Sequence, residues 1–199
     1  MKLACSSYSY HEELDEREMT LEEFIEICGD EHDIDGVELI DKHLPAEDPD
    51  TLAEIRATAD EHDVDIACLS VFYNDFAKPN ADERRDDIEK VKAWLDRADR
   101  LDADVLRGFA GFPGLHDREF DNERVWQDIA QGIQECLDYA RTVDVKFAVE
   151  NHNHDGIIKT ADDVFGLRRR VNGDLPIVLD LSNYVDGVES VRRTSHLAA

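Results

Sequence analysis

Short apolar runs alternate with longer amphipathic segments along the whole chain. There are six such runs, and most are apolar at successive positions, which is typical of strands that are covered on both faces in a parallel sheet. These predicted strands cover residues 3–8, 36–40, 65–72, 104–111, 146–151 and 177–183. The segments between them carry apolar residues at helical spacing, so the pattern predicts an α/β fold in which strands and helices alternate.

Two of the predicted helices have a recognisable start. Thr20 is followed by Glu23, and Thr51 is followed by Glu54. Both pairs fit the capping box, in which each side chain satisfies a free backbone N–H group of the other residue. We therefore expect helices to begin directly after Thr20 and Thr51.

Strict alternation of strands and helices permits a doubly wound open sheet or a closed (β/α)₈ barrel. The first predicted strand is not followed by the G-x-G-x-x-G loop of a dinucleotide-binding sheet. This favours the barrel, an α/β fold of the (β/α)₈ TIM-barrel type with about six of the eight β/α units present. The length of 199 residues and the 42% apolar composition predict a single domain over residues 1–199.

The chain is strongly acidic, with 48 Asp and Glu residues against 22 Lys and Arg residues and a formal net charge of −26. The acidic residues crowd the predicted helix surfaces, and Arg outnumbers Lys. This resembles halophilic proteins adapted to high intracellular salt, where screening removes the repulsion. An acidic enzyme from an ordinary environment is the alternative. Since a phosphate backbone would be repelled, nucleic acid is not expected as a partner.

No apolar run approaches the roughly 18 residues that a membrane span requires. The amino terminus also lacks the basic patch and apolar stretch of a signal peptide. We therefore expect a soluble cytoplasmic protein without a membrane partner. The four cysteines form no C-x-x-C pair, so neither a zinc knuckle nor a disulfide framework is indicated.

Carboxylates end two neighbouring predicted strands. Glu150 follows the apolar residues of "KFAVENHNH", and Asp180 follows those of "LPIVLDLSN" one β/α unit later. Burying an unpaired charge costs several kcal/mol, and the carboxyl ends of barrel strands face the active site. Two converging carboxylates predict a site for a hard divalent cation. The alternative is that each caps a helix or pairs with an arginine such as Arg107.

Five short motifs give the chain a resemblance to the xylose-isomerase-like TIM barrels, a family that includes ketose 3-epimerases, inosose dehydratases and hydroxypyruvate isomerases. Each motif alone is weakly specific, but the order and spacing of all five are fairly specific, and the resemblance covers the whole chain. The motifs are GVEL at 36–39, FYNDFA at 72–77, VLRGFAG at 105–111, VENH at 149–152 and VLDLSN at 178–183.

The resemblance implies roles for four of these residues. The family's glutamate in the E-N-H strand and aspartate in the L-D-x-x-N strand are two of four metal ligands, and they correspond to Glu150 and Asp180. Glu150 would also be a catalytic acid/base. His152 and Asn183 resemble residues that contact substrate or support the metal shell, although a histidine after a strand is often an ordinary loop residue. The resemblance does not choose among Mn²⁺, Mg²⁺, Co²⁺ and Zn²⁺.

Two further residues are candidates for binding a substrate. Glu38 resembles the family's glutamate near the mouth of the second strand, and a salt bridge that holds a loop is its alternative role. Arg107 has a planar donor fork that suits an anionic or hydroxylated substrate. Its alternative role is structural, as a partner of Glu38 or Glu150.

The resemblance implies a sugar or sugar-phosphate isomerase or epimerase that acts on a ketose by metal-assisted proton transfer beside a carbonyl. The family's two other ligands, a histidine and a glutamate from the seventh and eighth strands, have no counterpart here. The first alternative is therefore a catalytically inactive truncated barrel, whose open sheet edges would favour a homo-oligomer. An apurinic endonuclease-like nuclease is a weaker alternative, because the charge opposes it and its extra ligating histidines are not evident.

Overall fold

The computed structural model describes residues 2–199. Six parallel strands form one sheet in the order β1-β2-β3-β4-β5-β6. The strands are β1 (Ala4–Ser6), β2 (Gly36–Ile40), β3 (Asp65–Ser70), β4 (Val105–Phe109), β5 (Lys146–Glu150) and β6 (Ile177–Val178). Because each strand pairs with the next one along the chain, the sheet curls as a partial (β/α)₈ barrel. The predicted fold class is confirmed.

Helices follow each strand and cover the outer face of the sheet. They are α1 (His11–Asp15), α2 (Leu21–Glu26), α3 (Pro49–Glu61), α4 (Ala81–Arg100), α5 (Glu123–Ala140), α6 (Ala161–Arg168) and α7 (Val188–Thr194). A π-helical segment, Ile27–Glu31, extends α2. Within residues 2–199, none of the helices is both long enough and apolar enough to cross a bilayer.

One of the two predicted helix starts is confirmed and the other is wrong. Thr20 and Glu23 form both hydrogen bonds of a capping box at the start of α2. By contrast, α3 begins two residues before Thr51, because the Asp48 carboxylate accepts the backbone N–H groups of Asp50 and Thr51, each at 3.1 Å. Asp is as good an N-cap as Ser or Thr, and a proline at the first helical position is already in the helical conformation.

The sixth strand is much shorter than the predicted range 177–183. Its pairing with β5 ends at Val178, which lies opposite Glu150. Beyond that point the Asp180 carboxylate accepts the backbone N–H of Ser182 at 2.7 Å, which closes a turn. Asp side chains that bond to the backbone two residues later replace strand pairing with a turn.

The pairing of β2 with β3 contains a β-bulge beside a candidate site residue. Val37 lies opposite Ile66, but the next residue, Glu38, lies opposite Cys68. Ala67 is therefore an additional residue in β3. Bulges redirect the side chains that follow them and occur often near active sites.

The loop after β3 is anchored by a buried aromatic ring. Phe76 has no exposed surface, and a Cβ added to Gly132 in the middle of α5 would lie 2.8 Å from the Phe76 ring. A side chain at position 132 would collide with this ring, so glycine lets helix and loop approach closely. This contact fixes the middle of the β3–α4 connection, whose first residues border the cavity described below.

Many acidic side chains lie on the outside of the molecule, as at the exposed residues Glu12, Glu13, Glu16 and Glu18. We expect the melting temperature to rise strongly between about 0.1 M and 2 M KCl, since the Debye length falls from about 10 Å to below about 3 Å over that range. Circular dichroism at each salt concentration measures this. A sucrose series, which adds no ions, is the control for solute exclusion. A melting temperature that stays constant across the KCl series contradicts adaptation to high salt.

Candidate active site

A cavity of about 840 Å³ opens at the carboxyl ends of the strands. It is twice the size of the cavity of about 410 Å³ at the opposite end of the sheet. In a (β/α)₈ barrel the carboxyl ends of the strands carry the functional side chains. The polar and charged residues that line the larger cavity are Ser6, Tyr8, Ser9, Glu38, Tyr73, Arg107, Glu150, His152, Asp180 and Asn183.

The structure brings all six predicted site residues into this cavity. Glu150 is the last residue of β5, and Asp180 lies two residues beyond β6. Glu38 comes from the middle of β2. Three carboxylates therefore face one space, and the side chains of Glu150 and Glu38 are only 14% and 26% exposed.

Arg107 lies between two of these carboxylates on the cavity floor. Its Nε atom is 3.0 Å from Oε2 of Glu150, and an Nη atom is 3.9 Å from Oε1 of Glu38. The Nε–H is not directed at a hydrogen-bond acceptor, so the contact with Glu150 is a charge contact. The other Nη atom donates to the carbonyl of Val71 at 3.0 Å. This placement matches the structural role given above as the alternative for Arg107, and its role in binding substrate stays a prediction.

The pKa of Glu150 is raised to about 7. Burial is the main cause, because it disfavours the charged carboxylate, and the negative charges of Asp180 and Glu38 add to it. The positive charge of Arg107 opposes the shift. A carboxyl group with a pKa near neutrality can both accept and return a proton, which is the property of a general acid/base.

Asp180 is held by its own turn. One carboxylate oxygen accepts the backbone N–H and the hydroxyl of Ser182, both at 2.7 Å, and the other accepts the side-chain amide of Asn183 at 2.8 Å. Asn183 therefore orients Asp180 directly. Its contact with a substrate stays a prediction.

His152 stands against aromatic rings at the cavity wall. Its ring lies edge-on to Phe109 and to Phe112, with centroids 5.5 Å apart in each case. Burial, followed by the nearby His154, lowers the pKa of His152, so the imidazole is neutral at pH 7. Its Nδ1 atom is buried and has no hydrogen-bond partner within residues 2–199. His154 is exposed.

An aromatic wall of the cavity was not predicted. Phe72, Tyr73, Phe109 and Phe112 line it. The sequence signal was available, since these rings lie in the motifs FYNDFA and VLRGFAG or directly after them. Another residue that was missed is Ser70, whose hydroxyl donates to the Glu38 carboxylate.

The carboxylates of Glu150 and Asp180 fit a hard divalent cation. Glu150 is buried beside two other negative charges, and the causes of its raised pKa include no hydrogen bond. A cation would relieve both the burial and the repulsion, and carboxylate oxygens are the ligands that such cations prefer. Within residues 2–199 no group of three His, Cys, Asp or Glu side chains is arranged to hold a metal ion. The role of Glu150 and Asp180 as metal ligands therefore stays a prediction.

A curled parallel sheet that carries acidic residues at the carboxyl ends of its strands defines a protein of the TIM-barrel class. The family is shown by sequence. A family model described as xylose isomerase-like TIM barrel matches residues 29–196, and the chain belongs to this family. No curated protein matches it significantly in sequence.

Solved structures share the fold over the whole chain. A D-psicose 3-epimerase solved in the presence of D-fructose has a TM-score of 0.83 at 17% identity, covering 100% of this chain and 71% of the epimerase. The D-psicose 3-epimerase of Clostridium cellulolyticum H10 with D-tagatose has a TM-score of 0.84 at 19% identity, with coverages of 100% and 71%. A probable 3-DHS dehydratase of Bacillus anthracis involved in petrobactin synthesis has a TM-score of 0.79 at 19% identity, with coverages of 99% and 69%. At these identities the likeness concerns the fold.

Proposed function

We propose that this protein is a sugar isomerase or epimerase that acts on a ketose by metal-assisted proton transfer beside the carbonyl. The observation that carries the proposal is Glu150, a buried carboxyl group with a pKa of about 7 in the same cavity as Asp180. The similarity in fold to two D-psicose 3-epimerases supports it. The ketose substrate and the divalent metal are both proposed here together with the reaction.

In this proposal, Glu150 and Asp180 would hold the divalent cation with one carboxylate each. When bound, the cation would supply positive charge that stabilises negative charge developing on the substrate's oxygens. The Glu150 carboxyl group, which lines the cavity, removes the proton from the carbon beside the carbonyl or returns it. Asn183 keeps Asp180 in place through its side-chain amide.

The cavity favours an uncharged sugar. Its lining includes the aromatic rings of Phe72, Tyr73 and Phe109, which suit the apolar C–H faces of a sugar. The same lining carries three carboxylates against the single guanidinium of Arg107. Because Arg107 is already in contact with two of these carboxylates, the charge balance favours a free ketose over its phosphate. His152, which is neutral at pH 7, and Glu38 lie where they can contact the hydroxyl groups.

The test is solvent deuterium exchange at the carbon beside the carbonyl. The 199-residue protein would be purified in high salt with Mn²⁺ or Mg²⁺ and incubated in D₂O with a panel of ketoses and ketose phosphates. We expect metal-dependent exchange in at least one free ketose. A Glu150→Gln preparation made in the same way should not exchange, which excludes a contaminating enzyme. Absence of exchange across the panel contradicts the proposal and agrees with the catalytically inactive alternative.

A further inference from the structure

Asn151, the residue directly after Glu150, makes two hydrogen bonds to the backbone of a single residue. Its side-chain Nδ2 donates to the carbonyl of Asp180, and its Oδ1 accepts the backbone N–H of Asp180, both at 2.9 Å. Asn151 is completely buried. Its amide therefore faces Asp180 and cannot reach the solvent.

These two bonds begin where strand pairing stops. The ladder between β5 and β6 ends with the pair Glu150 and Val178, so Asp180 lies beyond the sheet. In a parallel sheet, both backbone groups of a residue bond to the same neighbouring strand, and buried backbone groups need partners. The Asn151 side chain supplies both partners for Asp180 and takes the place of further backbone from β5.

The same arrangement occurs a second time in the chain. Asn74 is also completely buried. Its Nδ2 donates to the carbonyl of Phe109 at 2.7 Å, and its Oδ1 accepts the backbone N–H of Phe109 at 2.8 Å. We call each arrangement an amide clamp, formed by one Asn side chain and one backbone residue. The two clamps differ in what they hold, because Phe109 carries an apolar ring and Asp180 carries a carboxylate.

We infer that Asn151 is a positioning residue, which fixes the backbone of Asp180 so that its carboxylate converges with that of Glu150. Asn151 follows Glu150 directly in the chain, so the clamp links the neighbour of one carboxylate-bearing residue to the backbone of the other. The turn hydrogen bonds of Asp180 with Ser182 and Asn183 orient the carboxylate within its own turn. The two hydrogen bonds of the clamp connect that turn to the end of β5. The inference rests on the proposed function in one respect, namely that the two carboxylates share a divalent cation.

The test compares Asn151→Leu with Asn74→Leu. Leucine has nearly the shape of asparagine and makes no hydrogen bonds, so each variant removes one clamp. We expect Mn²⁺ affinity, measured by calorimetry, to fall by about 10-fold to 100-fold in Asn151→Leu, as is typical when a residue that supports a metal ligand is lost. Asn74→Leu should keep the affinity within about twofold, although it loses an equivalent pair of hydrogen bonds. The visible spectrum of bound Co²⁺ should change in the first variant only.

Amide hydrogen exchange at Asp180 measures the clamp without a metal. We expect exchange at this N–H to accelerate at least about tenfold in Asn151→Leu and to stay unchanged in Asn74→Leu. If Asn151→Leu does not fold, Asn151→Ser replaces it, because the short hydroxyl cannot reach both backbone groups. Unchanged exchange at Asp180 overturns the inference. Faster exchange with unchanged Mn²⁺ affinity and Co²⁺ spectrum also overturns it, because the role would then be structural only.

The two proposals fail in different ways. If the unsubstituted protein binds no Mn²⁺, the proposed function is overturned, and the Asp180 amide still decides whether Asn151 fixes that residue. If the unsubstituted protein binds Mn²⁺ and loses it equally in the Asn151 and Asn74 variants, the proposed function stands. The positioning role of Asn151 is then overturned, because any destabilisation of the barrel would have the same effect.

Discussion

Replacing Glu150 by Gln, or Asp180 by Asn, should lower the affinity for Mn²⁺ by more than about 100-fold. Each replacement keeps the shape of the side chain and removes its charge. Loss of a residue that merely supports a ligand typically costs up to about 100-fold in affinity, so loss of a ligand should cost more. Calorimetry with Mn²⁺ at pH 8, where the Glu150 carboxyl is mostly ionised, measures the effect.

Glu135→Gln is a matched control for this experiment. Glu135 lies on α5, where its partners are Arg85 and Lys92 on the outer surface. Glu135→Gln and Glu150→Gln each remove one negative charge from the protein. An effect of net charge on Mn²⁺ affinity would therefore appear in both variants. Equal Mn²⁺ affinity in the unsubstituted protein and in both site variants would remove Glu150 and Asp180 from the metal site.

Ionisation of Glu150 should cost the metal-free protein stability as the pH rises from about 4.5 to about 7, and Glu150→Gln should remove that cost. The pKa of Glu150 is 4.5 when unperturbed and about 7 in the folded protein. Between these values the unfolded chain releases the proton while the folded protein keeps it, so raising the pH favours unfolding. At 1.36 kcal/mol per pH unit the contribution reaches up to about 3 kcal/mol. We therefore expect Glu150→Gln to be more stable than the unsubstituted protein at pH 8.

Urea unfolding in EDTA at pH 4.5, 6 and 8 measures this difference. The two proteins should have similar stability at pH 4.5, where Glu150 is protonated in the folded state, and should diverge at higher pH. Glu135→Gln should change the stability in the opposite direction, because the hydrogen bond from Arg85 lowers the pKa of Glu135. That control should be no more stable than the unsubstituted protein at pH 8. A Glu150→Gln protein that is less stable than the unsubstituted protein at pH 8 would show that the carboxylate is well compensated in the folded state.

The sequence predicted the parts of the fold that depend on apolar pattern. All six strands lie within their predicted ranges, since burial on both faces leaves short, mostly apolar runs. The ends of elements were less predictable, because short polar side chains compete with the backbone there. Asp48 displaced the predicted cap at Thr51, and the Asp180 turn stopped β6 after two residues.

The candidate site could be predicted where a charged residue ends a run of apolar residues. Glu150 and Asp180 stood out because a carboxylate at the end of an apolar run has no stabilising reason to be there. The roles of Asn74 and Asn151 could not be predicted in the same way. A buried asparagine that bonds to a distant backbone resembles any loop asparagine in sequence, and only the tertiary structure supplies its partner.

Parity along β3 decides which of its side chains reach the cavity. Ile66, Leu69 and Val71 all belong to the buried core, although strict alternation would place Leu69 and Val71 on the face opposite Ile66. The additional residue Ala67 absorbs the odd step, so that Ser70 turns inward to its carboxylate partner on β2. Without Ala67, Ile66 and Cys68 would be consecutive residues opposite Val37 and Glu38, and Leu69 and Ser70 would keep the faces that they have now. The bulge therefore gives β3 a spare position: a chain that loses one residue there keeps the hydroxyl at the cavity and the leucine in the core.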